Sequence, residues 1–333
     1  MSSSSEASSS ALLAQLGNWL YNINPTLCNT PPRPDDDGEY CFCDDTNTNN
    51  NVLCKDINYG HSTCVGSWML SPEHLIVEGI IVTIISVGIL YYWVLPKLHS
   101  MTPNLNTINI THPSWSKPVS IVCLGMVLIY KVMGYPGRIY YVVMPCNMQW
   151  ILSFIQSMLP NNTGDDKYKW IQYTLLQIRL TYIMSVIIAI VTPETDDCEH
   201  FIEYEFYWIN HILLLILPAC YILNGSVSTI PSTSSSNEVS TLTFNFYWWL
   251  YSCCIFSIFY FIPVTFMAIV SGLNLNFMLH PPNDHFILYG KYFRLTAIAL
   301  LAICFIISRI IVYVFEMKTI RSKDDDKDKN KEK

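Results

Sequence analysis

Seven apolar runs, each near twenty residues or longer, recur along residues 75–315 with polar, Pro- and Gly-bearing breaks between them. Their approximate limits are Leu75–Leu95, Val119–Tyr135, Ile139–Leu159, Trp170–Val191, Glu203–Leu223, Thr243–Val270 and Leu295–Phe315. About 20 apolar residues in a row suffice for a helix to cross the hydrocarbon layer. None of the runs alternates polar with apolar positions, which argues against barrel strands. Helices are the other structure that satisfies its own backbone in lipid. The pattern therefore predicts an all-α, polytopic seven-transmembrane-helix bundle over residues 71–317. Tyr135–Pro136–Gly137–Arg138 reads as a tight turn between the second and third runs. Pro263, inside the long sixth run, predicts a kink.

The ends of the chain have a different texture. Residues 1–70 are rich in Ser, Asn, Asp and Pro and cannot bury a core, so disorder is expected there. Ala11–Tyr21 is amphipathic enough for a surface helix. Residues 318–333 mix Lys with Asp and read as a charged, disordered tail. The first ten residues lack a basic segment followed by an apolar one, so the first span is expected to act as the insertion signal.

Composition supports the membrane assignment. The 333 residues are 51% hydrophobic and only 14% charged, against about 25% charged in a typical soluble domain. The net charge of −7 and the absence of a basic stripe exclude a nucleic-acid partner. Lys97, Lys117, Lys167, Lys169, Lys318, Arg321 and Lys323 fall on one side of the predicted spans. By the positive-inside rule this predicts a cytoplasmic C-terminus and an exoplasmic N-terminus. Cys28, Cys41, Cys43, Cys54, Cys64 and Cys198 then face the exoplasmic side, where disulfides are possible. Sequons at Asn109, Asn161 and Asn224 vote for the opposite orientation.

One of the eight histidines, His211, lies inside an apolar run. A titratable ring in a bilayer is costly unless it has a partner or lines a wet cavity. It is either a helix–helix hydrogen-bond group or half of a catalytic pair. Candidate thiols within the spans are Cys123, Cys146, Cys220, Cys253, Cys254 and Cys304. Cys146 stands out because it follows Pro145 and precedes Asn147, in the middle of the third run. A proline there is expected to break the helical ladder and leave irregular backbone lining a cavity. Asn147 and Asn210 are candidates for holding an oxyanion or substrate. Asn274 and Arg294, which flank the sixth and seventh runs, suit a lipid head group. Glu78, Lys131, Arg179, Glu205 and Arg309 are further charges in the spans and read as interhelical pairs or as the lining of a polar cavity. No intramembrane pair has zinc-ligand spacing, so no metal is expected, and no basic nucleotide site implies a cofactor.

Several stretches resemble the transmembrane protein 164 family (the YwaF-like integral membrane proteins). They are Trp19–Leu20–Tyr21, Leu70–Ser71 with Leu75 and Glu78, Pro145–Cys146, Glu205 through His211, Asn274–Leu275–Asn276 with Met278–Leu279, and Tyr289–Gly290 with Arg294. The resemblance implies an intramembrane phospholipid acyltransferase without a coenzyme-A donor. It would move a polyunsaturated acyl chain from phosphatidylcholine to a lyso ether-linked phosphatidylethanolamine. Cys146 would be the nucleophile and His211 the base; the partners would be bilayer phospholipids, and the location an endomembrane such as the endoplasmic reticulum or Golgi. The chain departs from the family in its long Cys-rich insertion between Tyr21 and Leu70, in Asn147 where human-like members carry histidine, and in His280 where they carry cysteine. A membrane lipid hydrolase using the same Cys–His pair stays open, as does a non-enzymatic seven-helix receptor or transporter.

Overall fold

The computed structural model describes residues 72–101, 112–133, 138–160, 166–193, 195, 198, 201–223, 241–271, 275 and 292–331. Expectations for the N-terminal region, its five cysteines, the three sequons, Asn274 and His280 lie outside these residues. All regular structure among the described residues is helical. We number the α-helices α1 (Pro72–Ile89), α2 (Leu95–Met101), α3 (Ser116–Met133), α4 (Pro145–Met158), α5 (Asp166–Thr181), α6 (Ile183–Val191), α7 (Phe201–Leu223), α8 (Thr241–Phe259), α9 (Thr265–Ser271) and α10 (Phe293–Lys331).

Joined in places through π-helical segments, Leu90–Val94 and Tyr260–Val264, these elements give six stretches among the described residues long and apolar enough to cross a membrane: His74–Met101, Ser116–Met133, Asp166–Val191, Ile202–Leu223, Thr243–Ala268 and Phe293–Thr319; the expected third span, Ile139–Leu159, is not one of them. The protein is an all-helical, multi-pass membrane protein. Large apolar side chains that water would penalise stay exposed in rows, among them Ile80, Ile81, Ile84 and Ile85 on α1 and Ile303, Ile306, Ile307 and Ile310 on α10. Such rows are lipid-facing surface. Tyr91, Tyr92 and Trp93 add exposed aromatics of the kind that anchor at an interface.

The run Ile139–Leu159 departs from a single long helix. Arg138–Val143 is 3-10 helix, Met144 bends, and Pro145 opens α4. At the first helical position the missing proline N–H costs nothing and its fixed φ suits the helix. Pro145 therefore starts a helix rather than interrupting one. Pro263 behaves differently. It sits in a π-helical segment, Tyr260–Val264, between α8 and α9, where Thr265 Oγ1 donates to the Tyr260 carbonyl at 3.0 Å. This wider turn accommodates the ring clash that predicted a kink. The helix expected to stop near Phe315 continues through Lys331, past the expected start of the charged tail at Lys318.

The chain forms two compact units. One takes the chain up to Val87, Leu128–Met144 and Phe256–Ala299. Within it Arg294 is fully buried, its Nη1 lying 2.9 Å from Glu78 Oε2 and its Nη2 donating to Thr265 Oγ1 at 2.7 Å. The other takes Gly88–Val127, Pro145–Ile255 and Leu300–Lys333. In it α4 packs against α5, α6 and α7, and α7 also packs against α5 and α6. Polar bonds tie α10 to this group: Met184 N donates to Ser308 Oγ at 2.8 Å, and Trp249 Nε1 to the Ala302 carbonyl at 2.8 Å.

Candidate functional site

The interior of the second unit is unusually polar for a membrane bundle. Helix α4 buries Asn147, Gln149, Ser153, Gln156 and Ser157 beside Trp150. Helix α5 answers with Gln172, Gln177 and Arg179, and α7 with Asn210 and His211. Arg179 Nη1 donates to Gln156 Oε1 at 2.6 Å, and Arg309 Nη1 to Gln177 Oε1 at 2.7 Å. Ser153 Oγ, Gln156 Nε2, Asn210 Oδ1 and His211 Nε2 are buried and make no hydrogen bond. Such groups cost free energy in a dry core, which makes this cluster the candidate site.

His211 is the most defined member. Its ring is 2% exposed. Nδ1 lies 2.7 Å from the Tyr207 carbonyl oxygen one turn earlier. A carbonyl only accepts, so Nδ1 carries the proton and donates. In the neutral ring Nε2 is then the lone-pair nitrogen, and Nε2 is the atom without a hydrogen bond. The Tyr207 ring lies against the imidazole with centroids 4.1 Å apart, and the Tyr207 hydroxyl donates to the Ala189 carbonyl at 2.5 Å. Nε2 is thus set in place by the Tyr207 carbonyl and ring and makes no hydrogen bond.

Cys146 is the second residue of α4 and half-buried. Its thiol points to Asn147 Oδ1 at 3.9 Å, a weak sulfur contact. The position gives Cys146 two properties. Its own N–H and that of Asn147 belong to the first turn of the helix. The positive end of the helix dipole lies at the same place. Cys146 and His211 stand on helices that pack directly against each other.

A sequence profile of the TMEM164 family matches residues 69–312. The chain belongs to the TMEM164 family. No curated protein and no solved structure matches it. The TMEM164 match covers α1 through the first half of α10, and so includes Cys146, His211, Asn147, Asn210, Asn274 and Arg294; Trp19–Leu20–Tyr21 lies outside it.

The remaining candidates divide between the units. Asn147 and Asn210 are buried in the same unit as Cys146 and His211. Arg294 belongs to the other unit, held by Glu78 and Thr265. Of the other span charges, Lys131 lies over the Tyr141 ring at 5.5 Å and Glu205 is exposed. Sequence reasoning missed Tyr207 as the residue that orients His211, although its i−4 spacing on a helix was a usable signal. It also passed over Gln149, Ser153 and Gln156, whose spacing puts a polar stripe on one face of α4.

Proposed function

We propose that this TMEM164-family member is an intramembrane phospholipid acyltransferase that works through a Cys146 thioester with His211 as general base. The observation that carries the reading is the buried, unbonded Nε2 of His211, fixed as a lone-pair nitrogen by the Tyr207 carbonyl. It stands on a helix packed against the one that Cys146 begins.

The chemistry runs in two halves. His211 Nε2 takes the Cys146 proton, and sulfur attacks the ester carbonyl of a donor phospholipid. The tetrahedral intermediate collapses, the lysolipid oxygen leaves with the proton from His211, and the acyl group stays on sulfur. An acceptor lysolipid hydroxyl then gives its proton to His211 and attacks the thioester. New ester forms, and the thiol regains the proton. Asn147, Asn210 or a backbone N–H supplies the oxyanion donor, worth roughly 3–4 kcal/mol where such donors have been removed. Scarce water favours transfer over hydrolysis. Ester and thioester exchange needs no cofactor. Phosphatidylcholine as donor and lyso ether phosphatidylethanolamine as acceptor follow from the family resemblance, as does an endomembrane location. The distribution of positive charge supports an exoplasmic N-terminus.

The test is acyl exchange by purified protein in vesicles carrying labelled phosphatidylcholine and a lysolipid acceptor. Wild type is expected to make new labelled phospholipid; Cys146→Ala and His211→Ala, inserted at normal abundance, are expected to make none. Free fatty acid as the sole product would assign a hydrolase instead, and normal turnover in either variant would refute the pair.

A further inference from the structure

A second polar feature of the same unit lies away from Cys146 and His211 in sequence and has no part in the mechanism above. Between α8 and α10 runs a slot of about 390 Å³, within the roughly 300–1,000 Å³ of small-molecule pockets. Its walls are mostly apolar: Phe246 and Trp249 from α8, and Ile306, Ile310 and Tyr313 from α10, with Asn245 of α8 beside them. Phe246, Ile306 and Ile310 are largely exposed, so the slot opens toward lipid. One charged side chain, Arg309, lines it and is only 4% exposed.

The guanidinium is half used. Nη1 donates to Gln177 Oε1 at 2.7 Å, while Nε and Nη2 make no hydrogen bond. Those two groups form one edge of the planar fork, the edge that grips a carboxylate with two parallel bonds. The Glu316 carboxylate and Tyr173 act on Arg309 through space without bonding that edge. A buried cation with two unused donors is expensive in a membrane unless an anion meets it.

Depth narrows the choice. Phe246 and Trp249 lie in the first two turns of the span Thr243–Ala268, and Ile306–Tyr313 in the second half of the span Phe293–Thr319. The slot therefore occupies one leaflet. Arg309 is ten residues from Thr319, about 15 Å along the axis. That depth is about half of a hydrocarbon layer of roughly 30 Å, so an occupant bonded to Arg309 holds its polar end deep in the leaflet, beside the apolar walls of the slot.

We infer that the α8–α10 slot binds a long-chain fatty acid, with its carboxylate on the Nε–Nη2 edge of Arg309 and its chain along Phe246, Trp249 and Ile310. The site does not depend on acyl transfer at Cys146. It gives the protein a place to hold a free acid.

The experiment is photolabelling of the full chain in phosphatidylcholine nanodiscs with a diazirine- and alkyne-bearing fatty acid. Label is expected on peptides containing Phe246–Trp249 and Ile306–Tyr313, displaced by oleate and not by methyl oleate. Arg309→Gln is expected to lower labelling about tenfold, the loss of one charge-assisted contact. Ile310→Trp, which fills the slot from its lipid side, is expected to lower it with Arg309 intact, and decides the matter if Arg309→Gln fails to fold. Cys146→Ala is expected to label as wild type, which separates this site from the transfer chemistry. Label elsewhere in the chain, equal displacement by the methyl ester, or unchanged labelling of folded Arg309→Gln or of Ile310→Trp would overturn the assignment.

Discussion

Gly79 meets the backbone of Phe261 so closely that a Cβ at residue 79 would stand 2.9 Å from the Phe261 carbonyl oxygen. The obstacle is main chain within the π-helical turn Tyr260–Val264, not a side chain that can swing aside. Gly79→Ala is therefore expected to destabilise despite its better helix propensity, by about 1–3 kcal/mol as for other overpacked sites. A thermal unfolding midpoint in detergent no lower than wild type would contradict it.

One residue earlier, Glu78 faces Arg294. The separation of 2.9 Å is that of an ion pair, although the alignment falls short of a hydrogen bond. Both side chains are buried, and Arg294 also lies over the Phe261 ring at 4.6 Å. Removing one partner leaves an uncompensated buried charge. Glu78→Gln is expected to cost about 3–5 kcal/mol, and the apolar double variant Glu78→Leu with Arg294→Met distinctly less than either single change. Denaturation of Glu78→Leu, Arg294→Met and the double variant measures this, and additive losses would show that the pair does not couple.

These two contacts also mark what the sequence could and could not reveal. Hydropathy located six of the seven expected spans, some closely, as Glu203–Leu223 against α7 at Phe201–Leu223; it counted Ile139–Leu159 as a seventh because a 3-10 turn followed by a short helix is as apolar as one long helix. It singled out His211 because a lone imidazole in apolar sequence has few explanations. It missed the 3-10 turn before Pro145 because hydrophobicity does not distinguish one helical form from another. Glu78 and Arg294 were each visible, but their meeting depends on tertiary packing that no local pattern carries. The unbonded Nε2 of His211 is likewise a property of what surrounds it.

Tyr207 is expected to act as a positioning residue. Tyr207→Phe removes the bond to the Ala189 carbonyl, a loss of roughly 0.5–1.5 kcal/mol of stability. Tyr207→Ala also removes the ring against His211. If His211 is the base, the alanine variant lowers kcat with little change in KM, and the phenylalanine variant restores most of it. Equal effects on both constants would point to a general packing defect.

His112 should carry a pH dependence of stability. Burial, and after it the Arg179 charge, push its pKa below the ordinary value. A neutral ring also suits its contacts: Nδ1 meets the Tyr221 hydroxyl at 2.7 Å and Nε2 meets Gln172 Nε2 at 3.4 Å. The unfolded chain takes a proton near pH ~6.5. The contribution is therefore complete above that pH and declines as pH falls from there through the lower folded value. Wild type should lose more thermal stability between pH ~7.5 and pH ~5 than His112→Gln. Parallel losses would remove His112 as the cause.

Asn147 offers a sharper reading of the site. If it contributes to the oxyanion pocket, Asn147→Ala lowers turnover by about a hundredfold or more with the protein intact. Single-turnover acylation of Cys146 is the measurement, and an unchanged rate would leave that role to Asn210 or a backbone N–H.

The brevity of α4 bears on where its ends lie. Fourteen residues rise only about 21 Å, short of a hydrocarbon layer of about 30 Å. A helix of that length cannot reach both membrane faces, so at least one of its ends lies within the depth of the bilayer, where its terminal backbone groups have to be met by protein rather than by bulk water.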